Sequence, residues 1–341
     1  MPTVSIVVSN FNYGAFLRTS IESALSQTHN PLEIIVVDDG STDNSREVLA
    51  AYKNQIQVFE LDHEGETATR NFGFSKCTGD WICFLDSDDF LHPETAARVI
   101  KFSRPEFTKI QYPLSVVDEK GKPQGLRMPR CPLDSGVVSP QLLKTGRYMT
   151  SPGSGNFYPR WFLEKIIPVP TETWPQSFDS YASTYAGFLG EIGAIQELLG
   201  FYRVHRNNMS RAATNDGIQL AQVEKLLERQ FRLRRLIQQI AAERGLQPEP
   251  NIVTCHWLYL KLELARLSFQ SEAPFTQMLA LVKSVVASAV SAPELSVLKR
   301  IQLIMWAASS LFLPKVASQY IVRMGFDLAP ENRLARMMRR L

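Results

Sequence analysis

Leu32-Glu33-Ile34-Ile35-Val36-Val37 is a short, mostly β-branched apolar run that stops at Asp38-Asp39-Gly40-Ser41-Thr42-Asp43. β-Branched side chains suit a buried pleated strand. Carboxylates, glycine and hydroxyls turn the chain and cap a following helix. The stretch therefore reads as strand, turn and helix, with the helix over Arg46–Tyr52. The same unit recurs on either side. Upstream, Val4–Ser9 is a strand, and Phe16, Leu17, Ile21, Ala24 and Leu25 follow near helical spacing. Downstream come a strand over Ile56–Leu61, a helix over Thr67–Lys76, a strand over Trp81–Leu85 and a helix over Phe90–Phe102. This alternation predicts an α/β fold with a mainly parallel sheet covered on both faces. In such sheets ligands gather beyond the carboxyl ends of the strands. Asp38-Asp39-Gly40 and Asp86-Ser87-Asp88-Asp89 both fall there.

The pattern loosens over residues 105–178, where prolines recur and only short elements fit. Residues 179–200 return to helical spacing, and 201–204 form a short strand. Beyond residue 215, amphipathic runs at 218–244, 251–270, 274–290 and 294–323 predict an all-helical appendage. The expected division is a first domain over 1–214, itself split into halves 1–104 and 105–214, and a helical region over 215–341.

A net charge of +3 on 341 residues gives no footprint for nucleic acid. Cys77, Cys83, Cys131 and Cys255 form no Cys-x-x-Cys pair, which argues against a disulfide framework or zinc site and fits a reducing compartment. No secretory signal and no spanning apolar run is visible, so a cytoplasmic protein is expected. Ile301–Leu313 is apolar but too short to span a bilayer. Either it packs within the appendage, or it lies at the inner face of a membrane, helped by Arg323, Arg333, Arg336, Arg339 and Arg340.

Phe84-Leu85-Asp86-Ser87-Asp88-Asp89 sets three carboxylates within four positions after an apolar strand. Their mutual repulsion suits a hard divalent cation, Mn²⁺ or Mg²⁺, which takes one or two carboxylates plus substrate phosphates. The alternative is a solvated acidic turn in which Asp88 or Asp89 caps the next helix. Arg70 likewise has a plain alternative, an ion pair with Glu66 one turn earlier.

Taken in order, these segments resemble the family 2 glycosyltransferases, enzymes of GT-A fold. The resemblance rests on Ser9-Asn10-Phe11-Asn12-Tyr13 after the first strand and Val37-Asp38-Asp39-Gly40-Ser41-Thr42-Asp43. It continues through Thr69-Arg70-Asn71, Gly79-Asp80-Trp81-Ile82 and Phe84–Asp89, and covers about residues 3–100. It implies a GT-A-like Rossmann-type sandwich carrying the helical appendage. It also implies an enzyme moving a sugar from a nucleotide-diphospho-sugar, UDP-linked above others, to a hydroxyl of a glycan or lipid-linked acceptor. Polysaccharide, glycolipid or protein-glycan synthesis would be the setting. Ser9, Asn12, Asp38, Asp39, Arg70 and Asp86 would bind the donor, and Asp88 the metal.

The acceptor half of the family leaves traces too. Tyr202-Arg203-Val204-His205, followed by Asn208-Met209-Ser210, resembles the family's Tyr-Arg-x-His box, which makes His205 a candidate metal contact. An inverting transfer needs a base. The family commonly supplies it from a Glu-Asp pair upstream of that box, and the matching residues here are Phe178-Asp179. Asp179 is thus the candidate base, with Glu191 second and a helix-capping role for Asp179 as the competing reading. Ser151-Pro152-Gly153-Ser154-Gly155-Asn156 resembles the small, flexible segment before the acceptor site. Two other functions fit the fold. One is a binding or scaffold protein without catalysis, which would not need Asp86, Asp88 and Asp179 together. The other is a nucleotidyltransferase, which would carry a basic residue in the first loop, whereas Ser9–Gly14 has none.

Overall fold

β1 (Val4–Asn10) lies inside the larger sheet, and Val4, Ile6, Val7 and Val8 leave it no face for water. The computed structural model describes residues 2–29, 32–205, 208, 219–254, 256–269, 274–292 and 295–312. α1 (Gly14–Leu25) lays Leu17, Ile21 and Ala24, about one turn apart, into the core beneath that sheet. β2 (Leu32–Asp38), α2 (Ser45–Ala50), β3 (Gln57–Glu60), α3 (Glu66–Lys76) and β4 (Trp81–Asp86) then repeat the strand–helix unit. β1 runs parallel to β2 and β4, and β2 parallel to β3. α3 comes so close to the sheet that a Cβ on Gly73 would sit 2.5 Å from Val7 Cγ1.

The helix expected from Phe90 starts later. Phe90–Leu91 form an edge strand, β5, and α4 runs over Thr95–Phe102. His92 precedes Pro93, and a residue before proline is pushed out of the helical region. Short elements follow: β6 (Phe107–Gln111), β7 (Leu114–Val117), β8 (Pro123–Met128), α5 (Ser139–Thr145), a 3₁₀ turn (Gly153–Gly155), β9 (Asn156–Pro159) and α6 (Arg160–Ile166). α7 (Phe178–Leu189) is shorter than the spacing over 179–200 suggests. It ends at Gly190, and residues 191–194 become β10 (Glu191–Ala194), paired in parallel with β6. β11 (Gly200–Arg203) closes this part of the chain.

The larger sheet has seven strands in the order β10-β6-β9-β4-β1-β2-β3, with β9 antiparallel to both neighbours. The smaller has the order β5-β11-β7-β8. Its β5–β11 pairing, Leu91 with Gly200 and Phe90 with Phe201, joins the segment after the acidic box to the segment before His205.

The chain divides into two compact units. One comprises 1–143, 147–205 and 239–246, the other 144–146, 206–238 and 247–341. The second unit is helical where described: most of α8 (Leu220–Glu243), with α9 (Trp257–Phe269), α10 (Phe275–Ser291) and α11 (Val297–Phe312). Its core gathers Val223 and Leu227, Leu260 and Leu264, Val282 and Val285, and Leu303, Trp306 and Ala307. No helix among the described residues is long and apolar enough to cross a membrane. Met209, Ser210, the expected boundary at 214, and Arg323, Arg333, Arg336, Arg339 and Arg340 lie outside the described residues.

Candidate active site

Strand register brings the carboxyl ends of β1, β2 and β4 side by side. Ser9 stands beside Val37 and Asp86, and Asn10 beside Asp38. Asp38 is completely buried, and its carboxylate is consumed by the turn it builds. Oδ1 accepts from Asn10 Nδ2 (2.6 Å) and Ser41 Oγ (2.6 Å), and Oδ2 from the Ser41 amide (3.0 Å). Asn12, with φ of 57°, accepts from the amides of Thr42 (2.8 Å) and Asp43 (3.3 Å) through Oδ1. Asp38 and Asn12, both read from the sequence as donor residues, hold the shape of the turn through these bonds. Asp39 accepts from the amides of Glu64 (2.7 Å) and Gly65 (2.9 Å), pinning the loop that enters α3. On that loop His63 stacks on Phe11 with ring centroids 4.1 Å apart and planes at 23°. Phe11 is 38% exposed, so an aromatic face stands open beside Asp39. The Ser9 hydroxyl is buried without a hydrogen-bond partner.

Arg70 holds the centre. It is 2% exposed, and a buried guanidinium persists only when paired. Nη1 donates to Asp179 Oδ1 (2.6 Å) and lies 3.3 Å from Glu66 Oε1, while Nη2 donates to Asp86 Oδ1 (2.6 Å). The helix-surface pair with Glu66 thus exists, but as one arm of a buried junction between α3, β4 and α7. Burial works against the Arg70 charge, yet Asp179, Glu66 and Asp86 outweigh it and hold the cation above its ordinary range. Burial pushes the Asp86 carboxyl up to about 7. Arg70 opposes that rise, and Asp179, Asp88 and Glu66 add to it. Asp179 sits in the first turn of α7, where Ser177 and not Asp179 is the cap residue. Phe178 is fully buried against Phe84 (4.8 Å between ring centroids) and lies under the Arg70 guanidinium (5.4 Å).

The segment 151–156 is packed, not loose. Ser154 Oγ donates to Asp89 Oδ2 (2.7 Å) and accepts from the Asp86 amide (3.2 Å). Asn156 Nδ2 donates to the carbonyls of Pro152 (2.7 Å) and Gly153 (3.1 Å). A Cβ on Gly153 would stand 2.7 Å from Asp179 Oδ2 and 3.2 Å from Asp86 Oδ2. Glycine there leaves a gap between the two carboxylates. The segment read from the sequence as a flexible loop is hydrogen-bonded to Asp86 and Asp89.

Carboxylate oxygens of Asp86, Asp88 and Asp89 lie within 4.8 Å of one another. They are not equivalent. Asp89 is buried, with Oδ1 accepting from the Arg203 amide (2.9 Å) and Oδ2 from Ser154, so it is neither cap nor open ligand. Burial, with Asp88 and Asp86 adding, raises its carboxyl well above the ordinary range. Asp88 Oδ2 faces His205 Nε2 at 3.0 Å. His205 is walled by Tyr13 and Phe16 at 5.3 and 4.5 Å between centroids. Carboxylate oxygen beside an imidazole nitrogen is a donor set that accepts Mn²⁺ or Mg²⁺. Asp86, Asp88, Asp89, Asp179 and Glu66 outnumber the guanidinium groups of Arg70 and Arg203 beside them, which leaves negative charge for a cation to offset. The residues present therefore fit a divalent metal.

The profile of glycosyl transferase family 2 matches residues 5–129. Over 218 residues the chain is 34% identical to an uncharacterized glycosyltransferase of Nostoc sp., covering 62% of this chain and 68% of that protein. The chain belongs to glycosyltransferase family 2. Further glycosyltransferase relatives, in Rickettsia, are matched over 24% of their own length. Among solved structures, S. aureus TarS (residues 1–349) in complex with UDP-GlcNAc superposes with a TM-score of 0.55 at 14% identity, over 97% of this chain and 92% of that one. The mannosyltransferase PcManGT of Pyrobaculum calidifontis, in complex with GDP-Man and Mn²⁺, gives 0.52 at 16% identity, over 96% and 86%. Both show the GT-A fold.

Several parts of this glycosyltransferase site escape sequence reasoning. Arg203 donates its Nε to the Asp88 carbonyl (2.8 Å) and its Nη1 to the Glu119 carbonyl (2.9 Å), fixing the acidic box from beneath. Its place beside His205 in the Tyr-Arg-x-His box was the available signal. The Phe11–His63 stack had none, since 52 residues separate the two rings. Asn71, next to Arg70, spends its carboxamide on both backbone groups of Val169 (2.9 and 3.0 Å) and holds the 167–177 loop.

Proposed function

We propose that this family 2 enzyme transfers one sugar, with inversion, from a nucleotide-diphospho-sugar to a hydroxyl of a glycan or lipid-linked acceptor. Asp88 and His205 would hold the divalent metal. When bound, the metal neutralises charge on the departing diphosphate. Asp179 acts as base: Arg70 holds Oδ1, and Oδ2 faces the gap left by Gly153. Its carboxylate takes the proton as the acceptor oxygen bonds to the anomeric carbon, while the bond from that carbon to the diphosphate oxygen breaks and the nucleoside diphosphate leaves with the electron pair. Asp86, anchored by Arg70, orients sugar or ribose hydroxyls. The Phe11–His63 stack, with Asp39 beside His63, suits the nucleoside, and the unpartnered Ser9 hydroxyl at the end of β1 is a further donor contact. The complexes of the two structural neighbours with UDP-GlcNAc and GDP-Man support a nucleotide-sugar donor, and a UDP-linked sugar is the first to test.

The observation that carries this reading is the Arg70 junction. It joins a strand-end carboxylate to Asp179, 93 residues further along the chain. A panel of UDP-, GDP- and dTDP-sugars with Mn²⁺ or Mg²⁺, followed by calorimetry and by donor hydrolysis, tests it. Wild type is expected to bind and hydrolyse at least one donor, Asp88→Ala to lose metal-dependent turnover, and Asp179→Asn to bind donor without transferring it. If no sugar nucleotide binds with metal present, the proposal fails. If Asp179→Asn loses donor binding itself, Asp179 leaves the base role.

A further inference from the structure

The helical unit carries a surface that the proposed chemistry leaves unused. α11 turns Leu303, Trp306, Ala307 and Ser310 inward. On its other side Val297, Leu298, Ile301 and Met305 are 72%, 65%, 49% and 67% exposed. Spaced by three and four residues, Leu298, Ile301 and Met305 form one stripe two turns long. Arg300 extends it. Its guanidinium donates to the carbonyls of Val290 (2.8 Å), Ala292 (2.7 Å) and Leu295 (3.0 Å), which draws the exposed Val290 at the end of α10 to the same tip of the hairpin.

Charge narrows what can cover this stripe. About one residue in ten of the whole chain is acidic, 34 of 341. The helices α10 and α11, of 17 and 16 residues, contain no Asp or Glu, and Glu294, between them in the sequence, is the one acid over residues 275–312. They carry Lys283, Lys299 and Arg300. A protein interface ringed by groups of both signs is not what this composition offers. A one-signed, cationic helix pair with an aliphatic stripe complements an anionic, deformable surface. Sixteen residues are too few to cross a bilayer and enough to lie along its interface.

We propose that the α10–α11 hairpin docks on an anionic lipid surface. Val297, Leu298, Ile301 and Met305 enter the boundary between headgroups and acyl chains, and Lys283 and Lys299 supply the attraction to the headgroups. This deepens the transferase reading by naming the surface on which a lipid-linked acceptor would be met, and it rests on that reading only for the acceptor. The test is co-sedimentation of the full-length chain with vesicles of equimolar phosphatidylglycerol and phosphatidylcholine, against phosphatidylcholine alone, at low and high salt. Binding to the anionic vesicles, weakened by salt, is expected. Ile301→Glu with Met305→Glu should cut partition roughly tenfold or more while leaving the melting temperature and donor hydrolysis in solution unchanged. Lys283→Glu with Lys299→Glu should remove the preference for anionic vesicles. Wild type remaining in the supernatant would overturn the proposal, as would the double Glu variant sedimenting like wild type. So would a dimer that the double Glu variant splits without any vesicle binding, since a second copy would then be the occupant. Failure of donor hydrolysis in wild type would sink the transferase reading and leave the docking result standing.

Discussion

Replacing Lys109 by Met should stabilise the protein at neutral pH, and the gain should shrink as pH rises. Lys109 lies in β6 and is fully buried. Its Nζ donates to two neutral hydroxyls, Thr150 Oγ1 (2.6 Å) and Ser183 Oγ (3.2 Å), and sits 5.0 Å from the Tyr148 ring centroid. Burial pushes the ammonium down to about 7 from an unfolded value of 10.5, with Asp179 opposing only part of the drop. Below pH 7 both states hold the proton, and the folded state carries the buried charge at full cost. Between about 7 and 10.5 the unfolded state binds the extra proton, so stability rises with pH. At about 1.4 kcal/mol per pH unit, the whole window is worth on the order of 5 kcal/mol. Between pH 7 and 9 wild type should recover roughly 2–3 kcal/mol relative to Lys109→Met. Against the variant stand two lost hydrogen bonds, about 1 kcal/mol each. Its advantage at pH 6–7 is therefore expected near 3 kcal/mol. Urea unfolding followed by tryptophan emission at a series of pH values measures this, and other titrating groups cancel in the difference. Parallel stability profiles for the two proteins from pH 7 to 9 would refute an ammonium forced towards neutrality by burial.

Gly153→Ala should place a methyl 2.7 Å from Asp179 Oδ2 and lower kcat for transfer about 100-fold with donor affinity little changed; equal loss of donor binding would show that the turn serves the donor. Arg70→Met leaves Asp86 and Asp179 facing each other without their shared cation, and a drop in unfolding free energy of about 3–5 kcal/mol is expected, read by urea melts. His205→Ala should raise the Mn²⁺ concentration needed for half-maximal hydrolysis by about 10–100-fold, and an unchanged requirement would take His205 out of the metal site. Phe11→Ala should weaken donor binding in calorimetry by about 1–3 kcal/mol if the Phe11–His63 stack carries the base.

The first hundred residues were legible because each strand ends in a chemically abrupt turn. Val37 passes into Asp38-Asp39-Gly40 and Leu85 into Asp86-Ser87-Asp88-Asp89, and both turns lie where the register puts them. The late start of α4 and the early end of α7 were harder to foresee. Pairing of Phe90 and Leu91 with β11, and of residues 191–194 with β6, is a non-local event that helical spacing does not record. Within the site, residue types were legible and their partners were not. Asp38, Asn12 and Asn71 belong to recognisable motifs, yet each bonds the chain: Asp38 with Asn10 and Ser41, Asn12 through Oδ1 with Thr42 and Asp43, Asn71 with Val169. A motif letter can hold the geometry of a site as readily as touch its ligand.

Phe178 stands where the resemblance implies a Glu beside the candidate base, and Glu66 is the acid found near it. A buried guanidinium such as that of Arg70 is costly unless it is paired, and Asp86 and Asp179 both pair it. Glu66 stands on α3 one turn before Arg70. Its Oε1 lies 3.3 Å from the guanidinium, and its Oε2 accepts from the Ser177 amide at the head of α7 (3.2 Å). Glu66 thus pairs Arg70 and also ties α3 to the head of α7. Phe178, freed of charge, fills the space between Phe84 and the face of Arg70. Carboxylates this close feel one another strongly in a buried setting, and burial with Asp179, Asp88 and Glu66 raises the Asp86 carboxyl against the pull of Arg70.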